Sequence, residues 1–268
     1  MPKPLLRWPG GKARVLPYLT SFLPTAYNYY YEPFIGGGAL FHHIKPEFAF
    51  IGDLNPDLIN VYNAVKYSPN ALIEALCAHH HGKKYFYELR NKDRSSAFHN
   101  MSKIKKAARF IYLNKTCFNG YMRYNKAGQC NSGWGYLKKA ALPSEDQVTA
   151  LHKALRGVRI GYQPFDRMRA MVKRGDFVYL DPPYDKETSG SMDNYLGSSF
   201  GVKGQFAVFS LCVWLDKIGA RFMLSNAGTQ LILRLYREFN IREIPVTRTF
   251  TSKGSGRGKT TELIITNY

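Results

Sequence analysis

Apolar positions along this chain follow a strand-and-helix rhythm, lose it in the middle, and then recover it. Val15 to Leu23 keeps a helical apolar spacing despite Pro17, and Tyr29-Tyr30-Tyr31-Glu32-Pro33-Phe34 reads as a strand of β-formers. Ile35-Gly36-Gly37-Gly38 forms a turn, and Ala39 to Ile44 is a short helical run. Ala49-Phe50-Ile51-Gly52-Asp53 is a second short strand that ends on an acid. Asn55-Pro56 then starts a helix, with Asn as cap and Pro at the first helical position. Leu58, Val61, Tyr62 and Val65 make its apolar face.

From Pro69 the strands stop. Helical segments are expected at about 70–80, 84–93 and 102–116, the last with Ile104, Ala108, Ile111 and Tyr112 on one side. Thr116 to Trp134, rich in Gly, Asn and aromatics, reads as a β-hairpin loop. Alternation resumes near Ser144 with a helix to Leu155, a strand at Val158-Arg159-Ile160, and a helix from about Asp166. A strand through Val178-Tyr179-Leu180 runs into Asp181, and the polar, Gly/Ser-rich stretch Asp185 to Gly201 is expected to be a mobile loop over the site. A strand Phe222 to Ser225 ending at Asn226, a helix Thr229 to Tyr236 and a strand Glu262 to Thr266 complete the reading. The expected fold is α/β: a Rossmann-like sheet from residues 1–66 and 144–268, interrupted by a mainly helical insertion, 67–143, that carries the hairpin loop.

Asp181-Pro182-Pro183-Tyr184 stands where an open α/β sheet does its chemistry, beyond the carboxyl end of a strand. Two prolines give no N–H donor and hold φ nearly fixed. The Pro182 carbonyl is therefore expected to point outward beside the Asp181 carboxylate, with a flat aromatic face adjoining. Two acceptors and a ring suit a planar group bearing an exocyclic NH2. Gly36 and Gly38 satisfy G-x-G, but Phe41 takes the third glycine position of G-x-G-x-x-G, so close approach of a pyrophosphate is disfavoured. Asp53, 17 residues after Gly36, is placed to accept both hydroxyls of a ribose. A nucleoside cofactor without a pyrophosphate fits these features, and S-adenosylmethionine meets that description. Lys12, after Pro9-Gly10-Gly11, adds a positive charge to a turn suited to an anion. The Gly254 to Thr260 stretch lacks P-loop spacing, with Lys253 where Gly is needed, and leads into a strand; it reads as a basic hairpin tip.

Charge extends the picture to a partner. There are 38 Lys and Arg against 19 Asp and Glu, a net charge of +19. Between Lys83 and Lys139 stand 14 basic residues and two acids, Glu88 and Asp93, so this fifth of the chain holds +12. Such localisation points to a polyanion, and Arg, Asn and aromatic side chains in the hairpin loop suit duplex DNA. The four cysteines form no C-x-x-C pair or spaced metal set, which points to a reducing compartment. His79-His80-His81 reads as the polar end of a helix, and no metal is expected. Met1-Pro2-Lys3-Pro4 lacks a signal-peptide core and no run reaches 18 apolar residues, so a soluble cytoplasmic protein, at a bacterial nucleoid or in a phage-infected cell, with no membrane partner is expected. It is expected to act as a monomer.

Four stretches in order carry a resemblance: Arg7-Trp8-Pro9-Gly10-Gly11-Lys12, Glu32-Pro33-Phe34-Ile35-Gly36-Gly37-Gly38, Gly52-Asp53-Leu54-Asn55-Pro56-Asp57-Leu58, and Asp181-Pro182-Pro183-Tyr184. From end to end the chain resembles the DNA adenine-N6 methyltransferases of the Dam type, α group. The resemblance implies methyl transfer from S-adenosylmethionine to the N6 amine of an adenine extruded from double-stranded DNA. Trp8, Lys12, Asp53 and Asp181 match cofactor positions of the family, and Phe34, Gly36 and Phe165 complete the expected cofactor set. Asp181, Pro182 and Tyr184 are the expected catalytic residues. Phe118 to Asn125 resembles the recognition hairpin, making Arg7, Phe118, Asn119, Tyr121, Arg123 and Asn125 the expected DNA contacts. Members that methylate GATC usually continue Asn-Val-Pro-Phe-Gly, whereas this chain has Asn131-Ser132-Gly133-Trp134-Gly135, and Tyr121 stands where Leu is common. GATC or a related site is therefore expected.

Two alternatives remain open at this point. A cytosine-N4 methyltransferase would use the same amine chemistry, although Ser is more usual than Asp at position 181. A non-catalytic DNA-binding module would bind DNA without the cofactor.

Overall fold

The computed structural model describes residues 4–185, 200–247 and 259–268. Most of the loop expected over the site (186–199) and most of the basic hairpin tip (248–258) lie outside the described residues. In chain order the elements are α1 (Leu16–Ser21), β1 (Tyr30–Glu32), α2 (Ala39–Ile44), β2 (Ala49–Asp53), α3 (Pro56–Tyr67), α4 (Pro69–Cys77), α5 (Lys83–Asn91) and α6 (Lys103–Thr116). There follow α7 (Glu145–Ala154), β3 (Arg159–Tyr162), β4 (Phe177–Leu180), α8 (Gly201–Lys217), β5 (Arg221–Ala227), α9 (Gln230–Leu235), β6 (Asn240–Thr247) and β7 (Lys259–Thr266). The architecture is mixed α/β with a largely helical insertion between α3 and α7.

Among the described residues the strands form one sheet in the order β3-β2-β1-β4-β5-β7-β6. Pairing is parallel from β3 through β5, and β7 runs antiparallel between β5 and β6. After β1 the chain builds outward through β2 and β3, then returns to the other side of β1 with β4. The loops after β1 and β4 therefore diverge and open a crevice at the carboxyl ends of the strands. Side chains alternate across the sheet, as strand geometry requires. Tyr30, Ile51, Phe177, Tyr179, Met223 and Ile264 join the core under α2, α3, α6 and α7. Tyr31, Phe50, Val178, Leu180, Leu224 and Ile265 face the opposite core with α8, α9 and Met168. Burial on both faces explains why the parallel strands read as unbroken apolar runs.

Local chemistry sets the helix starts. Asn55 accepts from Leu58 N at 3.0 Å with Pro56 behind it, and Ser144 and Gln147 form a reciprocal capping box on α7. Pro17 is tolerated because it lies in the first turn of α1, where its missing N–H has no helical partner to serve.

Several expectations change in detail. The helix expected from Asp166 is a 3-10 helix, Phe165–Ala170. The hairpin loop is held by two isolated antiparallel bridges, Cys117↔Trp134 and Tyr124↔Cys130, with a 3-10 turn at Phe118–Gly120. Every residue of α6 from Ala107 to Asn114 is buried, because α3, α4 and α5 pack around it. The one-sided face expected from Ile104, Ala108, Ile111 and Tyr112 is thus replaced by burial all round. Two elements, α8 and β6, had no counterpart in the apolar pattern. In α8 the buried set Gln205, Val208, Leu211, Cys212 and Leu215 keeps a helical spacing, but Val202, Phe206 and Val213 are exposed and blur the period.

Candidate active site

The crevice between the β1 and β4 loops is lined by the stretches that the sequence singled out. Asp181 follows the last residue of β4, and its carboxylate Oδ1 lies 2.7 Å from Lys12 Nζ. The same ammonium bonds Gly10 O at 2.8 Å and sits over the Tyr184 ring, 4.7 Å from its centroid. Lys12 and Asp181 are 6% and 20% exposed, so little water screens the pair. Burial raises the Asp181 carboxyl from 3.8 to about 6; the Lys12 charge opposes that rise, and Glu262 adds to it. The Tyr184 hydroxyl donates to Glu262 Oε1, and Lys12 Nζ is 3.8 Å from the same oxygen.

The glycine loop after β1 is shaped by contacts that exclude side chains. Gly36 has φ +45°, and a Cβ there would meet Trp8 Cδ1 and Nε1 at 2.7 Å. Its N–H donates to Asp53 Oδ2 at 3.1 Å, and Asn55 N–H donates to Asp53 Oδ1 at 3.0 Å. Each Asp53 oxygen keeps a further lone pair, enough to accept two hydroxyls. Burial raises Asp53 to about 6, and the backbone N–H groups oppose that rise. Tyr62 OH donates to Gly36 O at 3.0 Å, bracing the loop from α3. Phe34 and Phe165 bring their rings together with centroids 5.1 Å apart, forming an aromatic wall. Trp8, Gly36 and Asp53 thus form one contacting group, Phe34 and Phe165 a second, and Lys12, Asp181 and Tyr184 a third.

Behind the Asp181-Pro182-Pro183-Tyr184 turn lies a buried amide network that the sequence reading did not anticipate. Gln205 of α8 donates to Pro183 O at 2.8 Å, and Asn226 at the end of β5 donates to Gln205 Oε1 at 2.9 Å. Asn226 Oδ1 accepts from Asp185 N at 3.1 Å, and Thr229 Oγ1 donates to Asp185 Oδ2 at 2.5 Å. Glu262 was missed as well. A lone acid opening the apolar run Leu263-Ile264-Ile265, and an Asn closing the apolar run of β5, were the available signals.

The expected DNA residues form a second group. Asn114 of α6, fully buried, accepts from Arg7 N at 2.8 Å and donates to Arg7 O at 2.7 Å and Gly120 O at 3.2 Å. Arg7 therefore lies against the Phe118–Gly120 turn, so close that a Cβ at Gly120 (φ +73°) would meet Arg7 Cβ at 2.6 Å. Arg7, Phe118, Asn119 and Arg123 are exposed, and Tyr121 is half-buried. Asn125 is different. Its oxygen accepts from Ala127 N and Gln129 N, and its amide nitrogen bonds Gln129 Oε1 at 2.9 Å, so the side chain closes the turn of the hairpin.

Departures from the GATC pattern have visible roles. Ser132 Oγ donates to Tyr121 O at 2.9 Å and accepts from Arg123 N at 2.8 Å, tying the two strands of the loop together. Trp134 is buried against Phe86, ring centroids 5.4 Å apart, and against His81 at 5.0 Å. Asp93 accepts from Arg109 at 2.8 Å and from Cys130 N at 2.8 Å, anchoring the loop to α6 through a buried ion pair. His79 and His80 pack on the Tyr85 ring at 5.9 and 3.8 Å. Among the described residues no group of three or more His, Cys, Asp or Glu is arranged to hold a metal.

Residues 8–250 match the D12 class N6 adenine-specific DNA methyltransferases. The chain belongs to that family. Curated relatives agree along its whole length. It is 38% identical to the type II methyltransferase M1.LlaDCHI of Lactococcus lactis subsp. cremoris, over 99% of this chain and 95% of that protein. It is 33% identical to the type II methyltransferase M.MjaIII of Methanocaldococcus jannaschii, covering 99% of each chain. It is 31% identical to a DNA adenine methylase of Vibrio cholerae, over 97% of this chain and 94% of that one. The methyltransferase uses S-adenosylmethionine to methylate adenine N6 in DNA, which closes the cytosine-N4 and non-catalytic alternatives. Among the described residues, no helix of the methyltransferase is long and apolar enough to cross a membrane.

Proposed function

We propose that Asp181, Pro182 and Tyr184 carry out methyl transfer in the crevice, that Trp8, Lys12, Phe34, Gly36, Asp53, Phe165 and Asp181 hold the cofactor, and that the hairpin loop reads DNA. The sheet order, with an antiparallel β7 between β5 and β6, supports a Rossmann-like methyltransferase sheet in residues 1–66 and 144–268, and a recognition unit in 67–143. One observation carries the reading: a partly exposed carboxylate, Asp181, and an aromatic ring, Tyr184, meet at the switch point beside a loop in which Gly36 and Gly38 combine positive φ with no room for a Cβ.

The residues present fit S-adenosylmethionine. The Asp53 carboxylate suits the ribose hydroxyls, and the Phe34–Phe165 wall suits a nucleoside ring. When bound, the cofactor supplies an electrophilic methyl group on a sulfonium sulfur. The protein works on the other reactant. Adenine N6 is a poor nucleophile because its lone pair is delocalised into the ring. Asp181 and the Pro182 carbonyl accept hydrogen bonds from its two hydrogens, which favours a tetrahedral nitrogen and frees the lone pair. Tyr184 stacks on the extruded base and fixes its plane. Positioning and oriented acceptors supply most of the rate enhancement.

Arg7, Phe118, Asn119, Tyr121, Arg123 and Asn125 face the DNA in this reading, with Arg123 suited to a guanine and Phe118, 58% exposed, suited to fill a stack opened by base extrusion. Asn125 shapes the loop. GATC or a related site is the proposed target. Action as a monomer is proposed, and the four free thiols support a cytoplasmic location. Methylation-aware sequencing of DNA from an expressing host tests base and site together; N6-methyladenine at GATC is expected. Asp181→Ala is expected to lower turnover by roughly 10²-fold or more, the scale for removing one such polar group. Near-normal transfer by that variant would sink the assignment.

A further inference from the structure

We propose that Glu262 is a positioning residue of the methyl-transfer site, holding the Tyr184 ring and giving Lys12 a second carboxylate when the target base engages Asp181. The inference rests on the roles proposed above for Asp181 and Tyr184.

Register places Glu262 correctly. It pairs with Ala227 at the carboxyl end of β5, because β7 runs antiparallel to its neighbour and so presents its early residues at the crevice. Side chains alternate along a strand, so Glu262 points to the same face as Ile264, the face that also carries Tyr179. Asp181, two residues beyond Tyr179, shares that side. Glu262 is 12% exposed, a costly place for a carboxylate unless it has partners. It has two, the Tyr184 hydroxyl and the Lys12 ammonium at 3.8 Å.

The geometry also creates a conflict that Glu262 resolves. Lys12 lies over the Tyr184 ring and on Asp181 Oδ1. A base stacking on that face of the ring meets the ammonium, and its amine competes with the ammonium for Asp181. Moving Lys12 away with no other carboxylate nearby would leave a buried charge unpaired, which is strongly unfavourable. Glu262 Oε1 already stands next to the ammonium, and Gly10 O stays as its third partner. A short shift of Lys12 from Asp181 toward Glu262 therefore clears the base site while keeping the cation paired. Through the tyrosine hydroxyl, the same carboxylate sets the plane on which the base lands.

Three variants of the full-length protein separate these roles: Glu262→Gln, Glu262→Ala and Tyr184→Phe. Glu262→Gln keeps an acceptor for Tyr184 but removes the charge offered to Lys12. It is expected to raise KM for DNA several-fold with kcat nearly retained. Glu262→Ala also releases the ring and is expected to lower kcat roughly tenfold or more, the scale of one hydrogen bond to a charged group. Affinity for S-adenosylmethionine by calorimetry should stay close to that of the parent in both. Tyr184→Phe removes the donor from the other side, so the double variant Tyr184→Phe with Glu262→Ala should lose no more kcat than the worse single variant. The proposal is overturned if the losses multiply, if glutamine behaves as alanine does, or if kcat and KM for DNA are unchanged in both Glu262 variants. Asp181→Ala in the same assays keeps the two readings apart. An active Asp181→Ala enzyme removes the site itself, whereas an inactive one beside normal Glu262 variants removes only the role of Glu262.

Discussion

Lys12 Nζ lies 2.7 Å from Asp181 Oδ1, so the cation at the end of the first glycine turn is the direct partner of the carboxylate that ends β4. Residues 169 positions apart in the chain thereby share one electrostatic unit. Lys12 is the strongest influence holding the Asp181 carboxyl down against burial. Lys12→Met should therefore push that carboxyl above about 6, and the acidic limb of the pH–rate profile should move up with it. Lys12→Arg, which keeps the charge, should move it less. Profiles of kcat/KM between about pH 5 and 9 check this, and an unmoved limb in Lys12→Met would exclude the pairing as a determinant of Asp181.

A second pH dependence follows from Asp53. Asp181 and Asp53 are both raised to about 6 by burial, and both serve as acceptors in their charged forms. Below that pH each becomes protonated, so activity falls as pH falls. Two groups titrating together should give a log kcat/KM slope greater than one on the acidic side. Asp53→Asn should bring the slope back toward one and weaken cofactor binding measured by calorimetry.

Glu32 makes a prediction about stability. It is buried at the end of β1, accepts from Tyr30 OH at 2.7 Å, and is raised by burial from 4.5 to about 8. A carboxyl raised in the folded state contributes stability fully present below its unfolded pKa of 4.5 and lost as pH rises through about 8. Glu32→Gln mimics the protonated form and still accepts from Tyr30. Urea midpoints of the two proteins should be similar near the unfolded pKa and diverge in favour of Glu32→Gln as pH rises toward about 8. Parallel midpoints across that range would show that Glu32 does not stay protonated.

The hairpin loop is anchored by Asp93. Its side chain is 8% exposed and is shared among Arg94, Arg109 and the Cys130 N–H. Asp93→Ala leaves the Arg109 guanidinium buried without its carboxylate, a change that costs about 3–5 kcal/mol. Urea unfolding should show that loss. DNA affinity should fall further than affinity for S-adenosylmethionine, since the loop loses its anchor while the crevice does not.

Fourteen basic residues between Lys83 and Lys139 should make DNA affinity steeply salt-dependent. The log–log slope is expected near −0.9 per phosphate neutralised. Replacing exposed basic residues in this segment should flatten it by about one unit per contact removed. A slope unchanged by such replacements would move the contact elsewhere.

The order of strands and helices, the glycine turns and the Asp-Pro-Pro-Tyr motif were legible because each is a local matter. A buried parallel strand needs a continuous apolar run, a close approach needs glycine, and a helix start needs a cap, all within a few residues. The α8 helix escaped because exposed Val202, Phe206 and Val213 hide the period of its buried face. Asn125 reads as a base contact by residue type, and the structure adds that its side chain also closes the hairpin turn. Glu262 and Asn226 carry only the weak signal of a polar residue bordering an apolar run, and Gln205 carries none. Their meaning comes from sheet order and register, which bring β7, α8 and β5 against the turn after β4. Residue types and their spacing determined by themselves the family motifs, the glycine turns and the concentration of positive charge between Lys83 and Lys139. Only the tertiary structure decided that Lys12 faces Asp181 and that Glu262 stands behind both, because ion pairs form through space between segments whose separation the local pattern does not encode.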